Sequence, residues 1–527
     1  MTSHLALVLL TLFAADDKSN WLNVKDAGAS GSTFETTAST VAGSNRVTVA
    51  DPGDFRVGQG VLIARCQPRF INATLWGPKR YANQPLGDAV EIRSRTDAGP
   101  GAVFMLDVAP GRPASFRWSD DLRTWKPGKL AISYGWQPLS HGVEVRFARR
   151  DWEKGCTVTF TACDPLASVI EKVEGRVLTL RDAPSRTAKD AAVRHCDHQA
   201  LQAVIDRAVA ENRNVYFPPG FYRLAKGLRV SGARAITLEG ASGVDTILDI
   251  SEGEAPILPQ GEGACFTLVR GTEVTLRNFR MVGPVSFADS DKVGGIRLLG
   301  AESLWRFWLK QSSALTIYST ERVLVENCHA SRMTGEAFYS SSGGRSRPED
   351  PRPHTKSITY LRCSVTDSAR NAFNNNDAAE NTSVLYCRVQ DVGGCSWEGA
   401  SRFVRFTGNY VRNAGTVAMG NVRSRDKNLE EFGRAQHIIA DNVFEGQQMY
   451  GGNPGGFMIR ASASATQVIV RNNIFVNFNS SGVEISGAGS KEDLPGGEAT
   501  ITGNLFDLTC VEARPSPARA YRPAPPT

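Results

Sequence analysis

From Thr272 onward the chain repeats one short frame: an apolar residue, any residue, a second apolar residue, two more, then a small polar residue. Val323/Val325/Cys328, Ile358/Tyr360/Cys363, Thr382/Val384/Cys387, Val404/Phe406/Asn409, His437/Ile439/Asn442, Val468/Val470/Asn473 and Ala499/Ile501/Asn504 follow it, and Val274/Leu276/Phe279 opens it. Their first members are 35, 24, 22, 33, 31 and 31 residues apart from Val323 to Ala499. Alternation of period two is the signature of a strand, and a fixed frame at such steps is the signature of a solenoid. The steps vary because a coil can swell at a turn without disturbing its stacked strands.

A second phrase follows in most coils: Ala337-Phe338-Tyr339, Ala372-Phe373-Asn374, Ser396-Trp397-Glu398, Val417-Ala418-Met419, Gly456-Phe457-Met458-Ile459 and Gly482-Val483-Glu484-Ile485. Two strand phrases per turn around a tight polar corner describe an all-β fold, a β-helix rather than an α-solenoid. Polar side chains stacked about 4.8 Å apart can bond along the stack. Asn409, Asn442, Asn473 and Asn504 are therefore expected in one internal column, each tolerating the left-handed corner. Cys328, Cys363 and Cys387 are expected above one another as buried free thiols, because parallel stacked side chains do not meet the disulfide dihedral. Of the 10 cysteines, Cys156 and Cys163 are the pair best placed to bridge, and no Cys/His spacing suggests zinc.

Composition fits a secreted, β-rich protein. The chain has 50 glycines, 41% hydrophobic residues and a formal net charge of +6 over 527 residues. That mild charge gives no sign of a nucleic-acid partner, and no apolar run after residue 15 is long enough to span a membrane. Residues 1–15 read as a signal peptide with Leu5–Ala15 as its apolar core, which implies a secreted or periplasmic protein. Residues 21–39 read as the first strand of the β-helix, 40–190 as an inserted all-β module, 197–508 as the solenoid and 512–527 as a Pro/Arg-rich tail that does not fold. His198–Ala210 has helical periodicity, with Leu201, Val204, Ile205 and Val209 on one face and Asp197 as its cap. Oligomeric state has no signal in the sequence.

Val24-Lys25-Asp26-Ala27-Gly28-Ala29, followed after the insertion by an Asp-led helix and Val215-Tyr216-Phe217-Pro218-Pro219-Gly220-Phe221-Tyr222, resembles the pectate-lyase-like right-handed β-helix superfamily. The resemblance covers about two-thirds of the chain and implies that the helix closes the N-terminal end of the solenoid, hiding an open strand edge. It departs from the family in the long insertion between opening strand and helix. It implies a fold more firmly than a reaction, since the superfamily holds lyases, hydrolases, epimerases and non-catalytic proteins. The polygalacturonase motifs Asn-Thr-Asp, Asp-Asp, Gly-His-Gly and Arg-Ile-Lys are missing from the solenoid, as are the Asp-Pro-His-Asp of alginate epimerases and the Arg-x-Pro-x-x-Arg of pectate lyases.

The site must then come from geometry. Phe338, Phe373, Trp397, Phe457 and Val483 should point inward. Alternation sends Tyr339, Asn374, Glu398, Met419, Met458 and Glu484 outward, with Ser341, Asn376, Ala400, Asn421, Arg460 and Ser486 as the next outward column. Swollen coils carry long loops, Ser342–Lys356 and Ser424–Ala435, on either side of short ones, which makes a trough. Its floor would hold Asn374, Asn376, Asp377, Glu398 and Asn421, and its walls His354 and Lys356 opposite Arg423. Asp377 and Glu398, roughly 5 to 9 Å apart on adjacent coils, would suit glycoside hydrolysis. His354, Lys356, Tyr339 and Arg423 would suit β-elimination on a uronate, with calcium as an added cation in that case only. Tyr339, Asn374, Asn376, Asn421 and Arg460 would bind a polysaccharide or oligosaccharide. The sequence thus favours a hydrolase without a cofactor, with a polysaccharide lyase or a non-catalytic glycan-binding protein as the alternatives.

Overall fold

The structure, a computed structural model, describes residues 18–67, 74–75, 84–85, 90–94, 103–120, 125–140, 142–148, 151–152, 156–161, 164–251, 263–283, 312–333, 335–342, 354–368, 370–376, 379–399, 401, 403–419, 435–447, 459–462, 466–477, 482–486 and 498–507. Residues from Val215 onward wind into a right-handed parallel β-helix with three strand-bearing faces. The first face is an 11-stranded parallel sheet, and the other two run together in a 17-stranded sheet. Their strands are continuous in the coils Arg388–Gly399 and Tyr410–Met419.

The repeated frame is the first face. Val274, Val323, Ile358, Thr382, Val404, His437, Val468 and Ala499 are in register one above another. From Val274 to Val468 this column is buried, as is the next inward one of Leu276, Val325, Tyr360, Val384, Phe406, Ile439 and Val470. Period-two sequence has put one apolar column on each side of every strand's inward face, and coil-on-coil stacking completes one continuous core.

The asparagines form the expected column. The Nδ2 of Asn409, Asn442 and Asn473 donates to the Oδ1 of the next asparagine at 3.0, 2.9 and 2.9 Å, ending on Asn504. Each of the four amides also donates to a backbone carbonyl, of Val384, Phe406, Ile439 and Val470 respectively. The left-handed residue is not the asparagine but the one before it. Tyr386, Gly408, Asp441, Asn472 and Gly503 take φ of 55, 70, 59, 54 and 64°. The ladder asparagine is selected for its amide bonds and its neighbour carries the bend. Cys328, Cys363 and Cys387 continue the column as buried free thiols. Their sulfurs lie 3.3–3.6 Å from carbonyl oxygens of their own and the preceding coil. The Cys156/Cys163 pairing lies outside the described residues.

At the N-terminal end the helix His198–Glu211 buries Leu201, Val204, Ile205 and Ala208 against the first coil, with Val209 partly buried beside them. Leu22–Asn23 pairs in parallel with Val215–Tyr216, so the opening strand is only two residues long before the chain turns through Val24–Ala27. Asp197 occupies the helix N-cap position without capping it. Its carboxylate instead accepts from the backbone N–H of Ser30 at 2.5 Å and of Gly31 at 3.1 Å, tying down the turn after the opening strand. Burial pushes the Asp197 carboxyl up, partly offset by those donors.

Between these two segments sits a closed six-stranded barrel made of Glu35–Thr40, Arg46–Val49, Gly60–Gln67, Asp164–Glu174, Val177–Leu180 and Ala188–His195. It rests on the capped end through Leu62, Cys196 and Ala225. Gly60 packs there because any Cβ would meet the Cys196 carbonyl oxygen at 2.0 Å. Residues 90–161 build a second core of their own, with Phe104, Phe116, Phe147 and Trp152 between a four-stranded and a three-stranded sheet. The insertion therefore holds two cores, and its barrel begins at Glu35, inside the segment read from sequence as solenoid strand. No helix among the described residues is long and apolar enough to cross a membrane.

Two stability outcomes follow from these contacts. Asn442→Ala deletes an amide that serves two neighbouring coils and leaves buried partners unpaired, so it should cost on the order of 3 kcal/mol in urea unfolding. The buried His437 donates from Nε2 to the Ser401 carbonyl oxygen at 2.7 Å, and burial holds its imidazole below the ordinary 6.5. Its neutral form therefore contributes fully above pH 6.5, and the contribution is lost as pH falls through the lower folded-state value. The difference in melting temperature between wild type and His437→Gln should thus shrink from pH 7.5 to pH 5.

Candidate active site

The third face is lined inward by Leu315, Phe338, Phe373, Trp397, Val417, Ile459 and Val483, in register coil after coil. The rings of Phe338 and Phe373 stack at 5.3 Å and 12°. Fixing these large groups inward sets the outward column beside them: Thr316, Tyr339, Asn374, Glu398, Ala418, Arg460 and Glu484. Two positions differ from the sequence expectation. Ala418 and Arg460, rather than Met419 and Met458, continue the Glu398 column, because Val417 and Ile459 are the inward residues of their coils. Arg460 thus stands in line with Glu398, not with Asn376.

Nor is the column a solvent-facing ladder. Tyr339 and Asn374 are 6% and 2% exposed. The Tyr339 ring packs edge-on against Tyr318 at 6.0 Å, and Asn374 turns along the face to donate from Nδ2 to Glu398 Oε2 at 3.1 Å. A second amide, Nδ2 of Asn371, donates to the same oxygen. Asn371 is itself fixed from the other end, since its Oδ1 accepts from the Cys395 N–H at 2.8 Å. Gly394 leaves the room this needs: a Cβ there would lie 2.4 Å from Asn371 Oδ1. Glu398 and Asn376 are half-buried at the edge of this network.

Behind it lies a charge pair. Glu336, 2% exposed, meets Nη1 of Arg370 through Oε1 at 2.5 Å. Burial raises the Glu336 carboxyl above its ordinary range, Arg370 pulls it back, and the charge of Glu398 adds to the rise. Burial and the same Glu398 charge also push the Cys395 thiol up. Three buried polar atoms here have no hydrogen-bond partner: Glu336 Oε2, Asn374 Oδ1 and Ser396 Oγ. Unpaired buried groups are costly, and these three lie on residues around one half-buried carboxylate.

No family model matches the chain, and no curated protein matches it in sequence. Among solved structures it is similar to ORF18 of Geobacillus virus E2, at 11% identity over 59% of this chain and 58% of that one, with a TM-score of 0.33. It is also similar to PfbA, a surface adhesin of Streptococcus pneumoniae, at 12% identity over 59% of this chain and 88% of that one, TM-score 0.34. A third is the catalytic domain of a GH87 alpha-1,3-glucanase in complex with nigerose, at 10% identity over 86% and 95%, TM-score 0.29. The alignment spans little more than half of the viral protein. At these scores neither activity nor ligand passes from these proteins to this chain.

The residues expected from sequence divide accordingly. Tyr339, Asn374, Asn376 and Glu398 share the third face on adjacent coils. Lys356 does not join them. It opens a strand of the first face, between Glu321 and Glu380 in register, and its Nζ is 3.1 Å from Glu321 Oε1. Opposite charge on both neighbouring coils holds it there. His354 is half-buried just before Thr355, whose hydroxyl donates to the Ser341 carbonyl oxygen at the end of the Tyr339 strand. Asp377, Asn421 and Arg423 lie outside the described residues, as does the side chain of Arg460. Sequence reasoning missed Glu336, Arg370 and Asn371. Their signal was the position just ahead of the second phrase, Glu336-Ala337-Phe338 and Asn371-Ala372-Phe373, where alternation alone assigns no role.

Breaking the buried pair tests this arrangement. Arg370→Met strands the Glu336 charge and should cost about 3–5 kcal/mol at neutral pH. Urea unfolding should show that loss shrinking at pH 5, where Glu336 can take up a proton. Adding Glu336→Leu to Arg370→Met should restore much of the stability.

Proposed function

We propose that this chain is an exported carbohydrate-active enzyme that hydrolyses glycosidic bonds of a polysaccharide on the third face of its β-helix. The observation that carries the reading is the carboxylate of Glu398, half-exposed and gripped on one oxygen by two side-chain amides. That leaves its other oxygen for a water or an anomeric carbon. Hydrolysis uses two carboxyls, one giving a proton to the leaving oxygen and one acting as base or nucleophile. Glu398 takes the second role in this reading and Asp377, one coil away in sequence, takes the first. Asn376, Asn421 and Arg460 would contact sugar hydroxyls along the same face. Asn374 and Asn371 orient Glu398, and the Glu336–Arg370 pair sets the charge behind it.

The β-elimination alternative loses support, because Lys356 is engaged by Glu321 on a different face. Membership of the pectate-lyase-like superfamily fits the closed N-terminal end and the parallel coils, and export rests on the apolar run Leu5–Ala15.

Glu398→Gln keeps the shape of the side chain and removes its base, so turnover should fall at least ~100-fold in a reducing-sugar assay across a polysaccharide panel. Glu484→Gln, farther along the same column, should retain activity. Undiminished cleavage by Glu398→Gln would remove the hydrolase assignment, and an ultraviolet-absorbing unsaturated product would replace it with β-elimination.

A further inference from the structure

The second face carries a cleft that hydrolysis on the third face does not use. Arg280 and His329 stand on adjacent coils of one outward column, with Ser364 next. They border a cleft of about 260 Å³, closed by Ser331, Thr366 and the turn at Gly243 and Val244. That is just below the range of about 300–1,000 Å³ for small-molecule sites, a size for an ion or a single functional group. No carboxylate lines it among the described residues. Arg280 is exposed and makes no ion pair or side-chain hydrogen bond among the described residues.

The imidazole is held in place. His329 Nδ1 lies 2.8 Å from Ser364 Oγ, and Nε2 faces the turn, where a Cβ on Gly243 would come within 2.7 Å of it. Gly243 therefore keeps the cleft open beside the ring. Burial first, and then the charge of Arg280, hold His329 below its ordinary value. Four other charged residues among the described ones neighbour these positions: Asp245, Arg388, Arg332 and Asp367. Asp245, on the same turn, accepts from Ser242 Oγ at 2.6 Å. Arg388, beyond Ser364 in the column, lies over the Tyr410 ring. Arg332 and Asp367 follow Ser331 and Thr366 at the next corner, where the Arg332 N–H donates to the Asp367 carbonyl oxygen.

We propose that this cleft binds a small oxoanion, a sulfate or a carboxylate group of a ligand, between Arg280 and His329 with the hydroxyls of Ser331 and Thr366 as further donors. An anion here meets an unpaired guanidinium and turns the neighbouring imidazole into a second cation. Binding and protonation of His329 are then linked: each strengthens the other by the same factor. The cleft is separate from Glu398, so it stands or falls independently of the hydrolytic reading.

The test follows the His329 ring by NMR in the full-length protein while sodium sulfate or sodium acetate replaces sodium chloride at constant ionic strength. At least one anion should raise the His329 midpoint by about half a pH unit or more, corresponding to roughly threefold tighter binding to the protonated form. Arg280→Gln, at an exposed position, should abolish the rise without lowering the melting temperature. A response to sulfate alone identifies a sulfate ester as the ligand group, and a response to acetate alone identifies a carboxylate. No rise with either anion, or a rise that persists in Arg280→Gln, would overturn the proposal.

Discussion

From Cys328 to Asn473 each coil turns its first corner in the same way: one left-handed residue, then one buried side chain that bonds to a neighbouring coil. In the C-terminal half that side chain is an asparagine amide satisfied on both sides, from Asn409 to Asn504. Each bond contributes only about 1 kcal/mol, but leaving one unmade inside the core costs more, so the column acts as a register lock. Register matters because the side-chain period of a strand is two. A slip of one residue in the coil Arg388–Gly399 would turn Trp397 to the outside and bury Glu398 in the core. The corner thus decides which face of each strand is chemical.

The lock changes material along the molecule. In the coils that carry the candidate site, Cys328, Cys363 and Cys387 occupy the corner, and thiols are weak hydrogen-bond donors. Aromatic stacking takes over part of the task there. Phe338, Phe373 and Tyr360 lie within 5.2–5.4 Å of one another, ring to ring. Apolar interdigitation of this kind fixes the neighbouring polar residues without using their hydrogen bonds. It leaves Asn374 and Asn371 free to spend their amides on Glu398. A buried Glu336–Arg370 pair adds no clear stability, since desolvation offsets its attraction. It lies directly behind Glu398, whose charge in turn raises the Glu336 carboxyl.

The fold was legible because period-two alternation and a fixed corner frame are written locally. Val323 to Ala499 fall in one column as their spacing requires. The inward aromatics and the four-asparagine stack were equally readable. What could not be read was which partner an outward side chain chooses. Tyr339 and Asn374 looked like surface by alternation, yet one is covered by Tyr318 and the other turned to a carboxylate. Lys356 looked like a trough wall because it ends a long loop, yet cross-coil charge draws it to Glu321. The same applies to Asp197, which stands at a helix N-cap and serves a distant turn instead. These choices depend on residues 21 to 167 positions away in the chain, and no local pattern carries them.

The site also coincides with a change in the corner that leads from the second face to the third. The step from Ser331 to Phe338, from Thr366 to Phe373 and from Gln390 to Trp397 is seven residues, whereas the aligned step from Arg412 to Val417 is five. The register shift between Val392 and Cys395 marks where the two extra residues, Gly393 and Gly394, are accommodated. Bulges of this kind re-aim side chains, and they gather near functional positions. Here the longer corner supplies Glu336 on one coil and Arg370 and Asn371 on the next, whereas the coil two residues shorter has Gly415 in register with Cys395 and no position equivalent to Arg370. Glycine at that position carries no side chain that could continue the amide contacts made by Asn371.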